Sequence, residues 1–234
     1  AEDNGGKKPG VQAPEEEVAK YRGLVKDEKL AHYYAAVTRM DSVIGEVLKT
    51  LDDAGQTDNT IVIFMSDNGG SGNGGNEPLR GSKSTMWEGG LRVPFMMRWP
   101  ARIKAGKVPA GKVTDEFLTA LEIVPTLLAA SGAKAPAGVA LDGFDMLPVL
   151  RGEMPSPRTE MFWQRRSDKA ARAGNWKWID SGKAKGLYDL STDLGESKDL
   201  SKEKPEIARM MQEKFNAWRK QMDETEPRGP FRDF

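Results

Sequence analysis

Cysteine is absent from the 234 residues, and histidine occurs once, at His32. The first absence removes disulfides, thiolate nucleophiles, iron–sulfur clusters and every zinc site that needs a cysteine. The second removes His-rich metal sites and disfavours a serine–histidine triad. Charge of one sign is also lacking: 35 Lys+Arg stand against 35 Asp+Glu, so no long-range field draws the chain to nucleic acid or anionic lipid. No apolar run approaches the roughly 18–20 residues of a membrane-spanning helix. Residues 1–17 are polar and have no apolar h-region, so they do not read as a signal peptide.

What is present begins with helical periodicity. Leu30, Tyr33, Tyr34, Val37, Met40, Ile44, Val47, Leu48 and Leu51 fall three, four or seven apart and predict one apolar stripe along a helix that closes at Ala54–Gly55. The run from Thr60 to Met65 is continuously apolar and β-branched, the pattern of a strand covered on both faces in a parallel sheet. A long helix feeding a buried strand is half of an α/β unit. Residues 67–90 hold eight of the 25 glycines. Val93 to Trp99 predicts a strand started or edged by Pro94, and Pro125 with Gly132 brackets a short helix. Past Leu150 the aromatic segments around Phe162–Trp163 and Trp176–Trp178 predict antiparallel hairpins, and Pro205 to Met222 predicts a terminal helix whose Met210–Trp218 stripe docks on them. The expected organisation is an α/β part over 1–155 and a small antiparallel subdomain over 156–234.

Two stretches carry chemistry. Ser66-Asp67-Asn68-Gly69-Gly70 follows the buried strand, and in α/β sheets ligands collect at the carboxyl ends of strands. Asp67 and Asn68 together offer hard oxygen donors of the kind calcium or magnesium takes, or else an Asx turn that ends the strand. Lys83, in a loop of Gly and Ser, reads either as a point charge for a sulfate or phosphate oxygen or as a solvated surface lysine. The loop lacks the spacing of a nucleotide P-loop.

Taken together, Ser66-Asp67-Asn68-Gly69, the loop from Leu79 to Pro94 with Lys83 and Glu88-Gly89-Gly90, and Arg98-Trp99-Pro100 resemble the sulfatase family, the arylsulfatase type within the alkaline phosphatase superfamily. The resemblance extends through Tyr34–Val37, Pro125–Leu128, Leu141-Asp142-Gly143, Gly174-Asn175-Trp176-Lys177 and Leu187–Leu190, over residues 15–220 in order. It implies the alkaline-phosphatase-like mixed sheet flanked by helices, with a small C-terminal antiparallel sheet and terminal helix. It further implies hydrolysis of aryl or carbohydrate sulfate esters by a formylglycine nucleophile beside a calcium ion. By motif, Asp67 and Asn68 stand where the family binds the metal, and Lys83 where it contacts sulfate oxygen. Export to the periplasm or the cell exterior is the family's usual habit.

Several family elements are missing. There is no C/S-x-P-x-R motif; Ser156-Pro157-Arg158 has the wrong spacing and reads as a turn. The early aspartate pair and the active-site histidine are absent, with Lys8 near where the histidine would fall, and His32 reads as a flanking or exposed helix position. Glu122 replaces an aspartate that commonly precedes Pro-Thr-Leu-Leu. The expectation is therefore the C-terminal portion of a sulfatase, inactive alone and partnered by the N-terminal half of the same protein. Alternatives are another superfamily member, such as a phosphodiesterase or phosphonate hydrolase, a non-catalytic module for sulfated glycans, or a structural fragment.

Overall fold

The computed structural model describes residues 10–103 and 113–225; Lys8 lies outside them. The chain divides into two compact units. The first gathers residues up to Phe64 with 71–75 and 96–102; the second holds Met65–Gly70, Asn76–Phe95 and the chain from Ile103 onward.

In the first unit, α1 (Glu15–Arg22) opens on three glutamates, which suit the positive end of the helix dipole. A turn over residues 23–27 separates it from α2 (Glu28–Asp53), where the Asp27 carboxylate accepts from Lys29 N at 2.9 Å. The two helices close over Val18, Ala31 and Ala35, all fully buried, because alanine lets the backbones approach. The buried residues of α2 are thus the alanines and not the predicted stripe, of which Tyr34, Val37, Met40 and Val47 are 39–57% exposed and Leu30, Tyr33, Ile44, Leu48 and Leu51 are half-buried. His32 is half-buried beside this stripe, with Nε2 3.4 Å from Glu28. Gly55 ends the segment in the left-handed region. Strand β1 (Val62–Met65) pairs with β2 (Phe95–Arg98). Among the described residues this is a two-stranded sheet, so β1 is half-buried rather than covered on both faces.

The second unit holds α3 (Glu88–Leu91), then α4 (Ile123–Ser131) and α5 (Leu147–Leu150). A four-stranded antiparallel meander follows: β3 (Glu160–Arg165), β4 (Asp168–Ala173), β5 (Trp176–Asp180) and β6 (Lys185–Asp189), in that order across the sheet. Helix α6 (Pro205–Glu224) follows the sheet.

Alternate residues of a strand face opposite sides, and here the two sides have different covers. Ala171, Trp178 and Leu187 face α6 and pack on Met211 and Phe215. Ala170, Ile179 and Tyr188 face the other way and pack on Met86 and Trp87. The sheet is thereby the platform on which the loop bearing Lys83 rests. Its central strand β4 has alanine on both faces, which makes room for the bulkier aromatic residues from either side.

Candidate active site

The loops after β1 are packed backbone against backbone. Gly69 N donates to Gly90 O at 3.2 Å, Gly89 N to Arg80 O at 2.8 Å and Lys83 N to Gly70 O at 3.1 Å. A Cβ on Gly69 would stand 1.7 Å from Gly89 O, one on Gly89 would stand 2.5 Å from Arg80 O, and one on Gly90 would stand 2.4 Å from Thr85 O. Glycine is required at these positions because another chain occupies the space of a side chain. Asn76 clamps the two loops: its Oδ1 accepts from Gly70 N at 2.8 Å, and its Nδ2 donates to Gly70 O and Gly81 O at 3.2 and 3.0 Å.

This framework presents Asp67, Asn68 and Lys83 to one open cavity of about 670 Å³. Ser66 Oγ donates to Asn68 O at 2.8 Å and fixes the turn. Thr85 Oγ1 accepts from Ser82 N at 3.1 Å and donates to Ser82 O at 2.8 Å, on the other side of Lys83. Ser84 between them has φ +67°, a left-handed backbone that non-glycine residues seldom adopt. Among the described residues, the side chains of Asp67, Asn68 and Lys83 have no hydrogen-bond or ion-pair partner, while the backbone beside them is tied at Ser66 N to Pro94 O, at Gly69 N to Gly90 O and at Lys83 N to Gly70 O. Functional groups held by a rigid frame yet left unpaired are poised for a ligand.

The donor set tells what kind. A carboxylate and an amide carbonyl are hard oxygen ligands suited to calcium or magnesium, but such ions take about six to eight oxygens. No cluster of three or more His, Cys, Asp or Glu occurs among the described residues. Asp67 and Asn68 fit this class of ion in chemistry and would need oxygens from elsewhere to complete its shell.

Glu88, at the start of α3, is a buried anchor. Lys177 Nζ on β5, itself fully buried, donates to Glu88 Oε1 at 2.7 Å and lies 3.5 Å from Glu196 Oε1. Glu88 N donates to Glu196 Oε2 at 2.6 Å, and Arg80 donates to Glu196 O at 2.9 Å while its guanidinium lies 4.0 Å from the centre of the Trp87 ring. Burial pushes the Glu196 carboxyl above its ordinary value, opposed by the Lys177 charge. Burial also lowers Arg172, which sits 4.0 Å from Glu88. A similar tie explains Glu122: fully buried, it pairs with Arg158, accepts from Thr119 in a capping box, and leads into Thr126, which binds Met146 N at 2.9 Å. The Ser-Pro-Arg element is thus a turn whose arginine has a structural task. Asn76, Glu196 and Lys177 go unassigned in the sequence reading; a Lys between two tryptophans in a strand is the one local signal for a buried cation.

Comparison with known proteins follows the same residues. The sequence model of the family described as Sulfatase matches residues 4–133, and that described as N-sulphoglucosamine sulphohydrolase, C-terminal, matches residues 81–221. A sulfatase of Formosa agariphila is 34% identical over 223 aligned residues, 80% of this chain and 39% of the relative. Human arylsulfatase A is 33% identical over 199, 70% of this chain and 38% of that protein. The solved structure of Ps i-CgsB in complex with k-i-k-neocarrahexaose superposes with a TM-score of 0.79 at 29% identity, covering 89% of this chain and 47% of that one. The chain spans about two fifths of the length of these curated relatives.

Proposed function

Because the chain belongs to the sulfatase family, we propose that Asp67, Asn68 and Lys83 form the sulfate-binding side of a sulfuric ester hydrolase whose nucleophile comes from outside these 234 residues. The observation that carries this reading is the convergence of an unpaired carboxylate, amide and ammonium on one cavity. In this reading the substrate is a sulfate ester, and a carbohydrate sulfate is favoured by the likeness to a protein solved with a neocarrahexaose.

The roles follow from chemistry. Asp67 and Asn68 hold calcium with further oxygens from the rest of the parent protein. Bound calcium would supply positive charge to the sulfate oxygens. Lys83 places its ammonium on a sulfuryl oxygen, where negative charge grows as the ester bond breaks, and a preorganised donor at such a point is a major source of rate. The backbone clamp of Asn76 and the glycines holds these side chains in register without using them. A formylglycine, derived from a Cys or Ser beyond this chain, would as its hydrate supply the hydroxyl that attacks sulfur, with the alcohol as leaving group and sulfate released as the aldehyde re-forms. The chain by itself therefore turns over no sulfate ester. The open apolar stripe of α2 supports a partner surface contributed by the N-terminal half of the same protein.

In the parent protein, Lys83→Ala is expected to lower turnover of an aryl sulfate by about 10²–10³, the cost of one transition-state donor. Asp67→Ala is expected to make activity depend on millimolar calcium or abolish it. Both variants should keep the parental thermal midpoint, since neither side chain is packed. Undiminished turnover in either variant would count against the assignment.

A further inference from the structure

The cavity that receives Lys83 has a second set of lining residues that no role above uses: Phe162, Trp163, Gln164 and Arg165 of β3, and Trp218 of α6. Four consecutive strand residues point alternately to opposite faces, so all four can border one cavity only if it runs along the strand's edge. β3 is indeed the outer strand of its sheet. Along that edge lie an aromatic platform and a cation. The Phe162 and Trp218 rings are stacked, with centroids 5.5 Å apart and planes at 18°, and Phe215 braces Trp218 at 5.4 Å. Phe162 and Trp218 also pack on the core under α6, so the platform is rigid.

Arg165 is the last residue of β3 and is exposed at the cavity. Its cross-strand neighbour is Asp168, but that carboxylate accepts from Gly182 N at 3.2 Å. Among the described residues, the Arg165 side chain has no ion pair or hydrogen bond, although other arginines of this unit, such as Arg158 and Arg172, are engaged. Gln164 Nε2 donates to Arg166 O at 3.2 Å, which leaves its carbonyl oxygen free to accept. A flat aromatic face suits the C–H face of a sugar ring, a free amide oxygen suits a hydroxyl, and the planar guanidinium fork suits a sulfate or carboxylate held by two hydrogen bonds.

We propose that the edge of β3 is the subsite for the alcohol part of the substrate, a pyranoside that carries a second anionic group, with Arg165 reading that group and the Phe162–Trp218 stack carrying the ring. This rests on the sulfate-binding role proposed for Lys83, but on different residues. It makes Arg165 a specificity determinant: Lys83 takes the sulfate that leaves, and Arg165 takes the charge that stays. A steroid or simple aryl alcohol would use the platform and leave Arg165 idle.

The test is isothermal titration of the calcium-loaded parent protein, its proposed nucleophile replaced by alanine so that the probes survive. Three probes are used: a methyl galactoside monosulfate, the corresponding disulfate, and a monosulfated disaccharide containing a uronate. Arg165→Ala is expected to weaken the disulfate, the uronate probe or both about five- to tenfold, the scale of one charge-assisted pair at an open surface, and to leave the monosulfate within about twofold. Which of the two responds identifies the anion. Arg165→Lys should recover part of the loss, because it restores charge without the fork. Equal weakening of all three probes, no weakening of any, or no binding of the two dianionic probes by the unsubstituted protein overturns the proposal. Lys83→Ala separates the two readings: it should weaken all three probes, and if it weakens none while Arg165→Ala still discriminates, the role of Lys83 fails and the subsite stands.

Discussion

At the scale of the residue, the site depends on side chains that are absent. Gly69 admits the Gly89 carbonyl into the space where any other residue carries a Cβ. Gly69→Ala therefore cannot be absorbed by a rotamer change, since backbone must move. We expect a loss of about 1–3 kcal/mol or more, the range of overpacked interiors, measured by urea unfolding. Stability within a few tenths of the parent would contradict the packing described. The same substitution should also displace Lys83, because Lys83 N is bonded to Gly70 O next door. Gly45, on the exposed face of α2, has open space around it, and its replacement by alanine serves as the control.

At the scale of the element, the buried Lys177 decides whether the loop stays on the sheet. Removing it alone leaves the Glu196 carboxyl in the interior without its cation and Glu88 with only the Arg172 guanidinium 4.0 Å away. Lys177→Met is expected to cost about 3–5 kcal/mol, as for a buried pair broken on one side. The double replacement Lys177→Met with Glu88→Gln should recover part of that loss, and chemical denaturation of both variants checks the coupling. Elements differ in how far the sequence announces them. Helix α2, the cap at Gly55, the short helix between Pro125 and Gly132 and the docking face of α6 are all legible, because each rests on local spacing. Strand β4 is not: Asp168 to Ala173 has no β-branched or aromatic residue, and its place comes from the strands on either side. The site shows the same division. Asp67, Asn68 and Lys83 are visible as motifs, whereas Asn76, Glu196 and Arg158 act through partners that only the fold brings near.

At the scale of the whole molecule, stability should depend on acid pH through a few carboxylates. Burial alone would raise Asp193 and Asp199, but hydrogen bonds outweigh it: from Lys198 N, Ser197 N and the Ser197 hydroxyl to Asp193, and from Ser201 and Leu187 N to Asp199. Both sit below their ordinary value in the folded state. The unfolded chain then binds protons more readily, so these groups add stability above the ordinary aspartate range and lose it as pH falls through their folded values. Glu15 and Glu28, held low chiefly by hydrogen bonds from Arg22, act in the same sense. Glu196, raised by burial, acts oppositely, losing its contribution as pH rises above the ordinary glutamate range. The double variant Asp193→Asn, Asp199→Asn should show a shallower loss of stability on acidification than the parent. Superimposable pH profiles would show that these hydrogen bonds are not maintained in solution.

The anchor at Glu88 also sets an order of events in time. Its ammonium partner lies 89 residues further along the chain, and the carboxylate its backbone holds lies 108 residues further. During synthesis the polypeptide emerges from its N-terminus, so the segment with Asp67 and Lys83 is made long before anything can hold Glu88 in place. A ribosome that stalls before residue 177 leaves that acid without its buried ammonium partner, and one that stalls before residue 196 leaves the Glu88 amide without its acceptor. Assembly of the loop that bears Lys83 is therefore a late step, completed only when the segment carrying Glu196 is out.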